Sequence, residues 1–139
     1  MNFKQQLVDK VLAGEKTVTR RPVKYAEVVN VFADGSNQIT RSQNPCRYEV
    51  GKTYAVQPVI EEGPGKGRGG KEVARIRILS VSRETLLALN TRDARREGFY
   101  GAPEFATYWT KLYGSFDPNQ LVDRIEFELV PGEQKGGGS

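Results

Sequence analysis

Apolar positions recur at three-and-four spacing over the first dozen residues, at Phe3, Leu7, Val8, Val11 and Leu12. That spacing predicts an amphipathic helix with one stripe on a core, and Asn2 is its expected cap. Gly14 follows the last periodic position, where a left-handed residue commonly ends a helix. The period then changes. Thr17-Val18-Thr19-Arg20-Arg21 is rich in β-branched residues, which are stiff at χ1 and favour extended chain. In such a strand Thr17, Thr19 and Arg21 share one face and Val18 and Arg20 the other, with Lys16 at the corner leading in.

Further along, Val28-Val29-Asn30-Val31-Phe32 and Gln38-Ile39-Thr40 flank Asp34-Gly35, which predicts a hairpin. Polar residues 41–51 lead to a strand over 53–59. Glu61 to Lys71 holds five glycines, one proline and three cations, so it predicts a mobile loop. This loop reads either as a solvated linker or as a cationic flap that meets phosphate, and its spacing is not that of a P-loop. Residues 72–81 alternate, with Ala74, Ile76 and Ile78 inward and Arg75 and Arg77 outward. A short helix is expected over 82–89. Asn90 or Thr91 caps a further turn through Glu97, ended by Gly98-Phe99-Tyr100-Gly101. Pro103 opens a last helix with an aromatic stripe at Phe105, Tyr108, Trp109 and Leu112. Phe105, Trp109 and Leu112 are expected in the core, and Tyr108 or Tyr100 is expected to reach a cavity. The final strand covers 122–130, with Ile125, Phe127 and Leu129 inward. Together these elements predict an α+β chain, mainly β, folded as a small closed or nearly closed barrel with flanking helices. It is expected to be one domain over 1–131 with a flexible tail over 132–139, where Gly136-Gly137-Gly138-Ser139 resembles an expression linker.

Composition narrows the chemistry. The 139 residues are 37% hydrophobic and 27% charged, ordinary for a folded domain. No apolar run is long enough to cross a bilayer and no signal-peptide pattern opens the chain, so a cytoplasmic location without membrane partners is expected. A single cysteine, Cys46, excludes an internal disulfide framework, and the absence of histidine removes the commonest metal ligand and general base. No motif points to a metal or another cofactor. The net charge of +4 suits a nucleotide or nucleic acid as partner.

Several of these features occur in an order that resembles the ASCH domain, a branch of the PUA-like barrels. They are Gly14-x-Lys16-Thr17-Val18-Thr19-x-Arg21 after an amphipathic helix, a glycine-led strand from Gly51 to Val59, an alternating strand at 73–81, Ala94-x-x-Glu97-Gly98-Phe99, a Trp-bearing helix and a terminal Ile-x-Phe-x-Leu strand. The likeness spans nearly the whole chain. The segment from about 23 to 50 and the glycine-rich loop are longer than in the smallest members, and Arg20 stands where the family more often has an apolar residue. The resemblance implies a pocket for a nucleobase or modified nucleoside. Some small ASCH proteins are amidohydrolases that remove the acyl group from N4-acetylcytidine with a lysine, a threonine and a glutamate, which fall here on Lys16, Thr19 and Glu97. Other members bind or cleave RNA, which is the alternative reading here, with the loop cations, Arg20, Arg75 and Arg77 on phosphate.

The residues themselves set the demands of such a reaction. Amide hydrolysis needs a deprotonated nucleophile and a stabilised oxyanion. Without histidine the base is a carboxylate or a lysine desolvated enough to be neutral. Lys16 beside Arg21 meets the second condition, and Glu97 is placed to orient it, to pass a proton to the leaving amine, or both. Arg21 would hold the base carbonyl or the oxyanion. Thr17, Phe99, Tyr100 and Tyr108 complete the expected substrate-binding set. Whether Thr19 attacks directly or positions a water stays open, as do the oligomeric state and the choice among free base, nucleoside and RNA.

Overall fold

The structure, a computed structural model, describes residues 1–132; the 132–139 tail expected from the sequence lies almost entirely outside them. In chain order the elements are β1 (Asn2–Phe3), α1 (Gln5–Leu12), β2 (Val18–Pro22), β3 (Tyr25–Val31), β4 (Asn37–Gln43), β5 (Thr53–Pro58), β6 (Ala74–Thr85), a 3₁₀ turn (Leu86–Ala88), α2 (Thr91–Arg96), α3 (Ala102–Tyr113) and β7 (Leu121–Leu129). Five strands form one sheet in the order β1-β5-β6-β7-β2, with β1 parallel to β5 and the other pairs antiparallel. The remaining pair, β3 and β4, is a separate hairpin turned through Asp34 and a left-handed Gly35. This is the expected mainly β, α+β class.

Three expectations need correction. The sheet is not closed into a barrel: its edges, β1 and β2, do not pair, and the Arg21 guanidinium of β2 spans the seam by donating to Asn2 O in β1 at 2.8 Å. A two-residue edge that turns at once into α1 offers too little backbone for a ladder. Asn2 and Phe3 are therefore strand rather than cap and first helical turn, and Lys4 occupies the cap position without a side-chain bond. Finally, the helix expected over 82–89 is mostly sheet. β6 runs on to Thr85 because Ser82 to Thr85 pair with Leu121 to Arg124, and only Leu86–Ala88 turn. Its alternation also breaks at a bulge between Ile78 and Ser80, which leaves Leu79 exposed.

The core lies between the sheet and the helices. Val8 and Val11 of α1, Ile76, Ile78, Val122, Ile125 and Phe127 of the sheet, and Phe105 and Trp109 of α3 are buried together. The hydrophobic periods at 7–11, 76–78 and 125–127 are thus read correctly, whereas Leu12 and Leu129, expected on the same inward faces, are exposed. Leu112 is not core as expected but 41% exposed, at the end of the α3 stripe. Among the described residues no helix is long and apolar enough to cross a membrane.

Candidate active site

Two backbone devices bring Lys16 and Glu97 together. Gly14 takes φ +77° after α1, and the N–H groups of Glu15 and Lys16 fold back onto Lys10 O at 2.9 and 3.1 Å. The helix ends there and the chain enters β2. From the other side, the Asn90 side chain caps α2 by accepting from Asp93 N at 2.8 Å, and the helix closes at Glu97 before a left-handed Gly98. Thr17 N then donates to Arg96 O at 2.8 Å. This bond joins the residue after Lys16 to the residue before Glu97 and fixes their side chains against each other.

Lys16 is 2% exposed. Its ammonium donates to Val18 O at 2.8 Å, Glu97 O at 2.7 Å and Glu97 Oε1 at 3.0 Å, which uses all three of its donors. Burial pulls its pKa below the ordinary lysine value, against the pull of the Glu97 charge and hydrogen bond, with Arg21 and Arg20 adding to the fall. The other Glu97 oxygen accepts from Arg20 at 3.0 Å. Arg20 also reaches Glu84 at 2.5 Å and Asp93 at 2.6 Å, and Arg124 grips Asp93 from the far side. The hydrogen bond from Arg124, reinforced by Arg20, holds the Asp93 carboxyl far below the usual carboxylate range despite the opposing effect of burial. The result is a nearly dry chain of alternating charge, Lys16, Glu97, Arg20, Asp93 and Arg124, in which Glu97 is the shared partner of two cations.

Above this chain lies a cavity of about 190 Å³. Lys16, Thr19, Arg21, Glu97, Phe99 and Tyr108 all line it. Thr19 is 4% exposed, and its Oγ1 accepts from Arg21 Nε at 3.3 Å. Phe99 packs edge-on against Phe105 with ring centres 5.6 Å apart and meets Tyr108 at 5.0 Å, so one wall is aromatic. Burial pushes the Tyr108 phenol up to about 12. The indole N–H of Trp109, in the same wall, is buried without a hydrogen-bond partner among the described residues.

Two expected residues are not there. Thr17 precedes β2 and turns away, its Oγ1 within 3.4 Å of Arg96 Nε. Tyr100 is 85% exposed, because Phe99 takes the inward position and the Tyr100 backbone N–H is occupied in a bond to Glu104 Oε2 at 3.0 Å. Lys16 stands at the corner leading into β2, as expected, and its side chain is buried against the cavity. Of the six cations assigned to phosphate in the RNA reading, three are engaged: Arg20 as above, Arg75 with Glu72 at 2.7 Å and Arg77 with Glu128 at 3.3 Å. The glycine-rich loop is not open chain. Its backbone is pinned by Ile60 N to Arg68 O at 2.9 Å, Gly67 N to Ile60 O at 2.8 Å and Gly70 N to Pro58 O at 2.7 Å, and Gly67 reaches the cavity rim.

Sequence reasoning missed the inward role of Arg20 and the contributions of Asp93, Asn2 and Phe3. One signal was available for the first two. Asp93 and Glu97 stand four apart on one short helix, a like-charge spacing that is unfavourable unless a cation lies between them. Arg20 is that cation.

Compared with solved structures, the chain is similar to protein EF3133 of Enterococcus faecalis, from the family DUF984, at 20% identity and a TM-score of 0.56 over 96% of this chain and 74% of that one. The two share a fold. An ASCH domain from Lactobacillus crispatus is similar at 18% identity and a TM-score of 0.49, over 87% of this chain and 68% of that one. No family model and no curated protein matches the sequence. Among the described residues no three His, Cys, Asp or Glu side chains are grouped to hold a metal.

Proposed function

We propose that the protein is an amidohydrolase that removes the acyl group from N4-acylated cytidine or cytosine. The observation that carries this reading is the convergence of Lys16, Thr19 and Glu97, each no more than 4% exposed, on one small cavity with an aromatic wall. The motif likeness to the ASCH domain supports the choice of substrate class. A flat heterocycle fits against Phe99 and Tyr108, with its acyl carbonyl toward Thr19 and Arg21.

Thr19 is the nucleophile. The neutral Lys16 amine, with two N–H donors and a lone pair, removes the Thr19 hydroxyl proton as Oγ1 bonds to the acyl carbon. Arg21 holds the oxyanion that forms. When the carbon–nitrogen bond breaks, the proton passes from Lys16, oriented by Glu97, to the departing N4 amine, and cytidine leaves with its amino group restored. Water then gives a proton to the neutral Lys16 amine as its oxygen bonds to the ester carbon, and that proton returns to Thr19 Oγ1 as the carbon–oxygen bond breaks, which frees the carboxylic acid and restores both side chains. Glu97 holds the lysine through Oε1 and through its carbonyl, so a glutamine there keeps part of the geometry and loses the charge.

Incubation with N4-acetylcytidine, followed by the ultraviolet change to cytidine, tests the reading. Wild type turns over and continues to do so in a chelator. Thr19→Val, which keeps the packing and removes the hydroxyl, and Lys16→Met each fall by about 10²-fold or more while unfolding cooperatively. No turnover by folded wild type, or turnover unchanged in both variants, refutes it.

A further inference from the structure

A second cavity, of about 720 Å³, adjoins the first, and Asn2, Arg21 and Tyr113 line both. Its outer wall comes from the stem of the β3–β4 hairpin and the segment after it, where Lys24 and Arg47 line the space. Asn44 N donates to Lys24 O at 2.8 Å, which holds these two segments side by side. With Arg21 the cavity thus presents three cations. Among the described residues Lys24, Arg47 and Arg21 have no carboxylate within salt-bridge distance, unlike Arg20, Arg75, Arg77, Arg83, Arg96 and Arg124. The acid in the wall, Asp123, is already engaged by Arg83 Nε at 2.8 Å. The net field inside is positive.

Size divides the labour between the two spaces. Sites that enclose a whole small molecule run to roughly 300–1,000 Å³. The smaller cavity, at about 190 Å³, holds a ring and a small substituent. Because Asn2, Arg21 and Tyr113 line both spaces, a group attached to that ring can pass them into the larger, cationic space. We propose that the larger cavity is a phosphate subsite, so that the favoured ligand is a phosphorylated nucleoside, with its base in the small cavity and its sugar-phosphate facing Lys24 and Arg47. This rests on the base-pocket reading above and adds the substrate class.

Titration calorimetry with cytidine and cytidine 5′-monophosphate tests it, using wild type and the Lys24→Ala/Arg47→Ala double variant. Both residues are exposed, so their removal does not disturb the core. The monophosphate binds about tenfold or more tightly than cytidine in wild type, as one charge-assisted contact provides. The ratio shrinks with added salt and falls toward one in the double variant. Equal binding in wild type, or an undiminished ratio in the double variant, overturns the subsite. Addition of a trinucleotide with a central cytidine separates the two sources of a phosphorylated nucleoside. Affinity no better than the monophosphate assigns the subsite to free nucleotide, and tighter binding with a steeper salt slope assigns it to an RNA chain. Turnover of N4-acetylcytidine without any phosphate preference removes the subsite and leaves the proposed function standing. Absence of both binding and turnover removes the two together.

Discussion

A lysine that is fully buried and donates three hydrogen bonds is held between two states. Its bonds to Val18 O and to Glu97 favour the ammonium, and the loss of water disfavours it, with the net effect a pKa below the ordinary 10.5. If the neutral amine is the base, the rate of N4-acetylcytidine turnover rises with pH along a limb whose inflection lies below 10.5. The two neighbours act on it with opposite signs. Glu97 raises the Lys16 pKa, so Glu97→Gln shifts the limb to lower pH as the maximal rate drops. Arg20 lowers it, so Arg20→Met shifts the limb to higher pH. A pH–rate series on the three proteins reads both directions, and a limb that stays put in both variants contradicts Lys16 as the base. Stability follows the same proton. The unfolded chain binds it more readily, so the Lys16 contribution to stability increases with pH between the lowered folded value and 10.5. Arg20→Met should also cost about 3 kcal/mol, because it leaves the buried Glu97 without one of its two cations, while the partly exposed Glu84 and Asp93 are relieved by water and by Arg124. Denaturant unfolding at neutral pH measures that cost.

At the level of elements, the site depends on where α1 and α2 stop. Both end at left-handed glycines, yet only one is crowded. A Cβ on Gly14 meets nothing within 4 Å, whereas a Cβ on Gly98 would lie 3.1 Å from Lys10 Cδ, 3.3 Å from Leu7 Cδ2 and 3.7 Å from Lys16 Cβ. Gly98→Ala therefore adds steric push on Lys10 and Leu7, which pack beside Lys16, to the strain of φ +100°, and Gly14→Ala adds strain alone. Each should destabilise the fold by roughly 1–2 kcal/mol in denaturant unfolding. Gly98→Ala alone should reduce turnover further, by an amount beyond what its unfolded fraction explains. Equal activity of the two variants at matched stability would show that the α2 end does not set the lysine position. These glycines were legible from the sequence, since each follows a periodic stretch. The continuation of β6 past Val81 was not, because Ser82-Arg83-Glu84-Thr85 reads as a capped helix start until Leu121 to Arg124 pair with it.

Over the whole molecule, the likeness to a barrel and the departure from one have the same origin. Five strands curl until β1 and β2 face each other, and the site occupies the seam they leave unpaired, bridged by Arg21 between Thr19 Oγ1 and Asn2 O. Helix and strand periods in the sequence were sufficient for most of the strands and the aromatic face of α3, whereas Lys16, Thr19 and Glu97 were singled out by the motif likeness and not by period. Period alone could not place Phe3, whose three-and-four spacing with Leu7 fits a helix stripe but whose backbone pairs with Pro58. Nor could it show that Thr17 falls one residue short of the strand that carries Thr19, or that Arg20 turns inward to carboxylates more than sixty residues away in sequence. Such contacts exist only once the chain has folded.

The convergence at the seam is tested most directly by a crystal structure of Lys16→Met with N4-acetylcytidine bound, in which the nucleophile is intact and the base is missing. The account predicts the cytosine ring against Phe99 and Tyr108, with the acyl carbon about 3–3.5 Å from Thr19 Oγ1. A ligand seated elsewhere, or one bound in the cavity with its acyl group turned away from Thr19, would contradict it.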